Sequence, residues 1–259
     1  SSANTTTLRS AGNLTLQGYS YAASGSGRGV DLNNDVIAAS GTVSMSGQHN
    51  TGATYAISLS GSTSITAGTG VTLESLNDNT GTIALLSSGG IDGGSGTVLM
   101  RAANYAFGGA DRTITTTGVL TIEPDADENS FASSFDNQYL NPVSVTGLTL
   151  GKSSNASAIT LSRAISLSGP VSIYGGSIDV NANITANSGN ILLDADTGST
   201  LNQSSTGILL DDVITIETVT SGNLTLIGRS GDTGSGFDGI DASSANTTTL
   251  RSAGNLTLQ

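Results

Sequence analysis

The chain opens and closes on the same seventeen residues. Residues 1–17 read SSANTTTLRSAGNLTLQ, and residues 243–259 repeat them without a mismatch. Independent drift does not leave an exact match of this length. We therefore interpret residues 1–242 as one tandem-repeat unit and residues 243–259 as the start of the next identical repeat. Such self-similarity is typical of solenoids, in which each unit stacks only on its neighbours.

The composition points to strands rather than to an ordinary globule or a disordered chain. Hydrophobic residues make up 36% and charged residues 11% of the chain, against about 45–50% and about 25% in typical domains. Disorder usually couples low hydrophobicity to high charge, whereas here the charge is low and Val, Ile and Leu occur in strand-like runs. The Gly, Ser, Thr and Asn residues between these runs suit turns and solvated strand faces.

Short runs of alternating apolar and polar residues recur along the whole chain. Examples are Thr-Val-Leu-Met at 97–100 and Val-Ile-Thr-Ile at 213–216. Alternation of this kind places one face of a strand inward and the other towards solvent. No window of ten residues combines a 3.6-residue apolar period with helix formers. The sequence therefore predicts an all-β fold with almost no helix.

Two all-β architectures fit these runs, a sandwich or barrel and a parallel β-helix. A solenoid accepts further repeats and a closed barrel does not, so the tandem repeat favours the β-helix. Gly-Asn-Leu-Thr-Leu occurs at 12–16, 222–226 and 254–258, and the interval between the last two copies fits one long coil or two short ones. We predict a right-handed parallel β-helix, because parallel crossovers are overwhelmingly right-handed, with roughly 20 residues per coil.

A second internal match indicates that the repeat is itself built of related coils. Residues 12–31 and 222–241 both begin with Gly-Asn-Leu-Thr-Leu and keep several positions in common after it. The shared positions are, in pairs, Gly18 and Gly228, Ser20 and Ser230, Gly29 and Gly239, and Asp31 and Asp241.

Several phrases resemble repeats of very large, filamentous-haemagglutinin-like bacterial surface proteins. They are the G-x-[IV]-x-[IVL] pattern, the phrase SGPVSIYGGSIDVNANIT within residues 148–198, and the recurring GNLTL. The resemblance extends over most of the chain and is weakest at 123–142. It implies a right-handed parallel β-helix, export across the outer membrane through a partner pore, and a role in adhesion or cell–cell contact. It brings no catalytic residues with it.

The charge of the chain argues against two classes of partner. The net charge is −12 with only eight Lys and Arg residues, whereas nucleic acids and anionic membrane surfaces are bound by clustered cations. The chain has no Cys, hence no disulfide framework, and no apolar run of about 18 residues that would insert into a membrane. We interpret it as an internal fragment whose targeting signal lies elsewhere in an extracellular or cell-surface bacterial protein.

One segment interrupts the regular alternation. Residues 123–142 read EPDADENSFASSFDNQYLNP and combine two prolines, three aromatic residues and five acids. We predict an excursion from the coil whose aromatic and acidic surface makes a lateral contact, through Phe131, Phe135, Asp136 and Tyr139. Asp125, Asp127 and Glu128 are candidate Ca²⁺ ligands, since carboxylates and backbone carbonyls suit that ion; the alternative is a solvated acidic loop.

Catalysis receives little support from the acidic pairs. β-Helical lyases and glycosidases cluster acids with Arg or Lys on one face, and the best candidates here are Asp194 with Asp196 and Asp211 with Asp212. Both pairs also fit turn chemistry at a coil corner, where Asp is favoured. His49, the only histidine, lies in the polar stretch SGQHNTG and is interpreted as a surface residue. The sequence predicts no enzyme and no cofactor apart from the candidate Ca²⁺.

Three functional hypotheses remain. The first is an adhesive stalk or filament of a very large secreted surface protein, bound to its next tandem repeat and to neighbouring filaments or surface glycans. The second is a β-helix that binds or cleaves polysaccharide. The third is a subunit that stacks end to end into a filament.

Overall fold

The protein consists of short parallel strands that form two compact units. A computed structural model describes residues 7–21, 27–50, 55–77, 80–86, 89–195, 206–230, 238–243 and 247–259. Unit 1 comprises residues 1–128 and 139–145, and unit 2 comprises residues 129–138 and 146–259. Within the described residues no helix is long and apolar enough to span a membrane.

Unit 1 has three rows of strands, and within each row a strand pairs in parallel with the strand three places further along the chain. The first row is β1 (Leu8–Ser10), β4 (Val36–Ala38), β7 (Ile65–Ala67), β10 (Ile91–Asp92), β13 (Arg112–Thr115) and β16 (Leu140–Val143). The second row is β2 (Leu14–Ser20), β5 (Val43–His49), β8 (Val71–Ser75), β11 (Val98–Arg101) and β14 (Val119–Glu123). The third row is β3 (Arg28–Leu32), β6 (Tyr55–Leu59), β9 (Thr82–Leu85) and β12 (Asn104–Phe107).

Unit 2 follows the same rule with three further rows. The first row is β15 (Phe135–Asp136), β18 (Ala158–Leu161), β21 (Ser177–Val180), β24 (Ile208–Leu210) and β27 (Ile240–Asp241). The second row is β17 (Gly147–Leu150), β20 (Val171–Tyr174), β23 (Ile191–Ala195), β26 (Leu224–Gly228) and β29 (Leu256–Leu258). The third row is β19 (Ile165–Leu167), β22 (Ile184–Ser188), β25 (Thr215–Ser221) and β28 (Thr249–Arg251).

The core of each unit is a set of columns of aliphatic side chains. In unit 1 the inward positions of the second row pair in register, and one column contains Val43, Val71, Val98 and Leu120. In unit 2 the corresponding column contains Leu148, Val171, Ile191, Leu224 and Leu256. The strand alternation places these residues on one face, and stacking removes nearly all of them from water. Burial of such side chains is the main stabilising term in folding.

The structure corrects the predicted uniform coil length. In unit 1, Leu8 pairs with Val36, a step clearly longer than the prediction. In unit 2 the step from Ile159 to Ile178 is short and close to the prediction, whereas the step from Thr215 to Thr249 is far longer. The predicted spacing therefore holds only over parts of the two units, including the step from Val98 to Leu120 in unit 1. The strands stay short while the connections between them vary, and apolar alternation carries no information about the length of a connection.

The all-β fold is confirmed, and the paired strands run parallel in both units. The three-place pairing rule is compatible with a β-helix. The interval between the last two Gly-Asn-Leu-Thr-Leu copies is a single long step, since Leu224 pairs directly with Leu256.

Candidate functional surfaces

Asparagine side chains form a ladder in unit 2 that joins two Gly-Asn-Leu-Thr-Leu motifs and the related Gly-Asn-Ile-Leu-Leu at 189–193. Asn190, Asn223 and Asn255 each precede a strand of the second row. The Oδ1 of Asn190 accepts the backbone N–H of Asn223 at 2.9 Å, and the Oδ1 of Asn223 accepts that of Asn255 at 2.9 Å. Asn190 and Asn223 thus each satisfy a backbone donor of the next step at the point where the strand ladder begins.

The same ladder chemistry occurs in unit 1. The Oδ1 of Asn13 accepts the backbone N–H of Thr42 at 3.0 Å. Asn13 and Asn255 occupy the same position in the two identical terminal segments. The asparagine of the motif can therefore bond to both neighbouring steps. Its side-chain oxygen accepts from the following step, as in Asn13, and its backbone N–H donates to the preceding step, as in Asn255.

The two identical segments use opposite strand edges. In unit 1, Leu14 of β2 pairs with Val43 of the following strand β5. In unit 2, Leu256 of β29 pairs with Leu224 of the preceding strand β26. One and the same sequence is thus complementary to a step on each of its two sides. The second copy also pairs in the third row, where Arg251 of β28 is in register with Glu217 of β25 and its Nη1 lies 3.9 Å from Glu217 Oε2.

A column of alternating charge runs along the outer face of the second row in unit 1. Glu74, Arg101 and Glu123 are in register on adjacent strands. Arg101 Nε lies 2.5 Å from Glu123 Oε1, and its Nη1 lies 3.7 Å from Glu74 Oε1. The hydrogen bond to Glu123 raises the pKa of Arg101. Opposite charges on neighbouring strands favour this register.

Tyr105 closes one end of this charged column. Its hydroxyl donates to the backbone oxygen of Glu123 at 3.0 Å. The enclosed position of the phenol, together with the negative charge of Glu123, raises the pKa of Tyr105 well above its ordinary value. The group is therefore a neutral structural donor and not a proton carrier near neutral pH.

Arg112 is fully buried inside unit 1. Its Nη1 donates to the backbone oxygen of Thr63 at 3.2 Å and to that of Gly89. Burial lowers its pKa from the ordinary value to about 10, because an apolar surrounding disfavours the charged form. The guanidinium holds together the carbonyls of two earlier steps, which is a structural role. No sequence pattern indicates this role, since an isolated Arg in an alternating run is usually exposed.

The aromatic residues of the 123–142 segment are placed differently from the prediction. Phe131 and Phe135 stack on each other in unit 2, with ring centroids 5.5 Å apart, and are only 3% and 4% exposed. They consequently offer no surface to a lateral partner. Asp136 is exposed, and the half-buried Tyr139 belongs to unit 1, where it packs near Phe107. The lateral contact stays a prediction, now confined to Asp136 and Tyr139.

The three candidate Ca²⁺ ligands lie in unit 1. Asp125 is buried, and its Oδ1 accepts the backbone N–H of Ala126 at 2.8 Å. The backbone N–H of Glu128 donates to the carbonyl oxygen of Asp125 at 3.1 Å, which closes a turn, while Asp127 is exposed. Across the part of the chain that the structure describes, no group of three His, Asp or Glu residues is arranged to hold a metal ion. Ca²⁺ binding therefore remains a prediction from the sequence.

The acidic pairs considered for catalysis are dispersed. Asp194 lies in an outward column between its register partners Tyr174 and Ile227, and the nearby Asp196 lies outside the described residues. Asp211 and Asp212 are exposed after β24. Burial and the charges of Asp211 and Asp136 raise the pKa of Asp179, whereas hydrogen bonds from Ser243 lower the pKa of Asp241.

A cavity of about 360 Å³ lies at the ends of β2 and β5. It is lined by Tyr19, Ser20, Tyr21, Gln48, His49 and Asn50. His49 is buried rather than exposed, contrary to the prediction. The side chain of Asn77, on a later step, accepts the backbone N–H of His49 at 2.7 Å and donates to the backbone oxygen of His49. Its Nδ1 lies 3.0 Å from the carbonyl oxygen of Asn50. The cavity wall is thus fixed by contacts between successive steps.

The polar groups with the clearest geometry all serve the stacking of steps. The asparagine ladder was visible in the sequence as the repeated Asn before an alternating run. The Glu74–Arg101–Glu123 column could not be predicted, because it depends on the strand register, which the sequence does not provide. Comparison with protein-family models, with curated proteins and with solved structures finds no match to this chain.

Proposed function

We propose that the chain is a structural segment of a stalk or filament, belonging to a very large secreted bacterial surface protein that mediates attachment. The observation that carries the proposal is the pairing of one sequence on both edges. The segment at 1–17 pairs forwards with β5, and its identical copy at 243–259 pairs backwards with β26. A tandem array of this repeat therefore continues its parallel ladders across each junction.

The architecture that best fits these pairings is a right-handed parallel β-helix. Within each row a strand pairs with the strand three places further along the chain, which corresponds to three strands per turn. Parallel crossovers are right-handed in about 98% of cases, which supports that hand here. In such a solenoid the ladders run along the axis, and each repeat adds length without changing the packing.

The charge and the surface of the chain support an extracellular, adhesive role. A net charge of −12 favours solubility and repulsion between unrelated molecules. Repetition of one unit repeats every surface contact, so that weak contacts to surface glycans or neighbouring filaments add up. The partners in this proposal are the next tandem repeat, neighbouring filaments and surface glycans.

The test compares the present chain with a two-copy chain, residues 1–242 followed by residues 1–259. A continuous solenoid predicts one cooperative unfolding transition, and a stability that rises with copy number by a constant junction contribution. Small-angle scattering should show a maximum dimension that increases by the same increment for each added copy. Two independent transitions at the single-copy midpoint would contradict the proposal.

Attachment is tested separately on the same chains. Beads coated with one-, two- and three-copy chains are applied to glycan-coated surfaces under flow. A retention that rises more steeply than copy number supports multivalent adhesion. Retention equal to that of uncoated beads would leave the chain a stalk without an adhesive role.

A further inference from the structure

Arg229 and Tyr19 occupy equivalent positions in the two related segments of the chain. Residues 12–31 and 222–241 share the glycine that precedes this position and the serine that follows it. Tyr19 takes an outward position in the alternation of β2, and Arg229 directly follows the last residue of β26, Gly228. Both Arg229 and Tyr19 are exposed.

The register of β26 and β29 brings these two positions together in a tandem array. Leu226 pairs with Leu258, and the backbone N–H of Gly228 donates to the carbonyl oxygen of Gln259 at 2.9 Å. Gln259 is the copy of Gln17, so a continuing repeat places the copy of Gly18 beside Gly228. One residue further on, the copy of Tyr19 lies beside Arg229.

The same pair of residue types already meets in this way inside unit 1. Arg28 and Tyr55 are register partners on the adjacent strands β3 and β6. The Arg28 guanidinium carbon lies 5.7 Å from the centroid of the Tyr55 ring, within the range of a cation–π interaction. An Arg and a Tyr in register on successive steps thus reach stacking distance in this fold.

Contacts within β2 and with β5 position Tyr19 for such a contact. The Gln17 side chain donates to the Tyr19 hydroxyl at 2.5 Å, and Gln48 is its register partner on the following strand. The ring is 49% exposed and lines the cavity at the ends of β2 and β5. The edge of β2 that does not pair with β5 faces the side on which a preceding repeat would lie.

We propose that each junction between successive repeats is closed by a cation–π contact between Arg229 of one copy and Tyr19 of the next. This inference rests on the proposed tandem solenoid and names the partner of the Tyr19 surface as a second copy of the 224–230 segment. The contact fixes the register at the junction, because a shift of one residue turns the side chain at either position inward.

The test is a double-mutant cycle in the two-copy chain. Arg229→Gln is introduced in the first copy and Tyr19→Leu in the second, singly and together. We expect the two substitutions to be coupled by about two- to five-fold in the unfolding equilibrium constant. In the one-copy chain the same two substitutions should act independently, because no preceding copy is present.

Tyr21 provides the matched control, since it is 84% exposed and lies close to Tyr19 in the chain. Tyr21→Leu in the second copy should show no coupling to Arg229→Gln. A coupling at Tyr19 no larger than that at Tyr21, in a two-copy chain that unfolds cooperatively, would overturn the contact and leave the solenoid intact. Independent unfolding of the two copies would overturn the solenoid and the contact together.

Discussion

Gly18 and Gly228 are positions where only glycine fits. A Cβ on Gly18 would collide with the carbonyl oxygen of Gly29, and a Cβ on Gly228 would collide with that of Gly239. Both pairs belong to the internal match between residues 12–31 and 222–241. The shared glycines are thus explained by a close approach of two backbone segments, which occurs in both units.

Replacement of Gly228 by Ala should destabilise the protein by about 1–3 kcal/mol, because the new methyl group must displace backbone rather than a flexible side chain. Gly12→Ala is the control, since a Cβ there would have nothing within 4 Å. Urea unfolding followed by circular dichroism measures both variants. Equal midpoints for the two variants would show that the approach at Gly228 relaxes without cost.

Tyr105 makes the stability depend on pH in the alkaline range. Its pKa is raised in the folded protein, so above about pH 10 the unfolded chain loses the phenol proton first and stability falls as pH rises. Arg112 acts in the opposite direction. Its pKa is lowered to about 10. Between that pH and the ordinary pKa of Arg, the folded chain binds fewer protons than the unfolded chain, so this group makes the stability rise with pH.

Tyr105→Phe should therefore remove the loss of stability that the phenol causes at alkaline pH and leave the gain that Arg112 causes. We expect the variant to lose less stability than the original chain between about pH 9.5 and 11, after correction for the lost hydrogen bond at neutral pH. Urea midpoints measured across that range decide this. An alkaline loss in Tyr105→Phe as large as that of the original chain would refute the assignment to Tyr105.

At the scale of the strand, the asparagine before each alternating run joins one step to the next. Asn223 donates its backbone N–H to Asn190 and accepts that of Asn255 through its side chain. The neighbouring leucines provide burial but do not by themselves fix which step begins where. The polar side chain adds this information, because it bonds a single backbone donor at the strand entrance.

Asn223→Ala should lower the free energy of unfolding by about 0.5–1.5 kcal/mol, the usual contribution of one hydrogen bond. The loss should be accompanied by faster amide exchange at Asn255, whose donor is released to water. Asn187→Ala serves as the comparison, since the hydrogen bond from Thr220 uses the backbone oxygen of Asn187, which the substitution keeps. A loss at Asn187 as large as that at Asn223 would mean that the ladder does not carry the effect.

At the scale of the whole molecule, residues 243–259 cover the last step of unit 2. Leu224 and Leu226 are fully buried, and β29 is their register partner on one side. Removal of this cover exposes apolar side chains and an unpaired strand edge, which is a template for association with other chains.

A chain shortened to residues 1–242 should therefore melt at a lower temperature and associate at high concentration. Adding a peptide of residues 243–259 should reverse both effects, because it restores the pairing of β26 with β29. Differential scanning calorimetry and sedimentation measure the two properties. Unchanged melting and a monomeric short chain would show that this step contributes little to the stability of unit 2.

The sequence alone determined the β-class, the inward residues and the repeated motif. These properties are local: alternation with period two assigns each side chain to a face, and identical sequences form corresponding strands, as Leu14–Leu16 and Leu256–Leu258 do. The prediction that Gly18 and Gly228 are equivalent also came from sequence, although its cause did not.

Only the tertiary structure decided the length of each step and which side chains share a column. The step from Ile159 to Ile178 is far shorter than the step from Thr215 to Thr249, because lengthening a surface connection costs little free energy and leaves no periodic trace. The partners of Arg101, Arg112 and His49 lie in other steps of the chain, so their roles depend on register. The burial of Phe131 and Phe135 likewise follows from stacking on other steps, which no local pattern specifies.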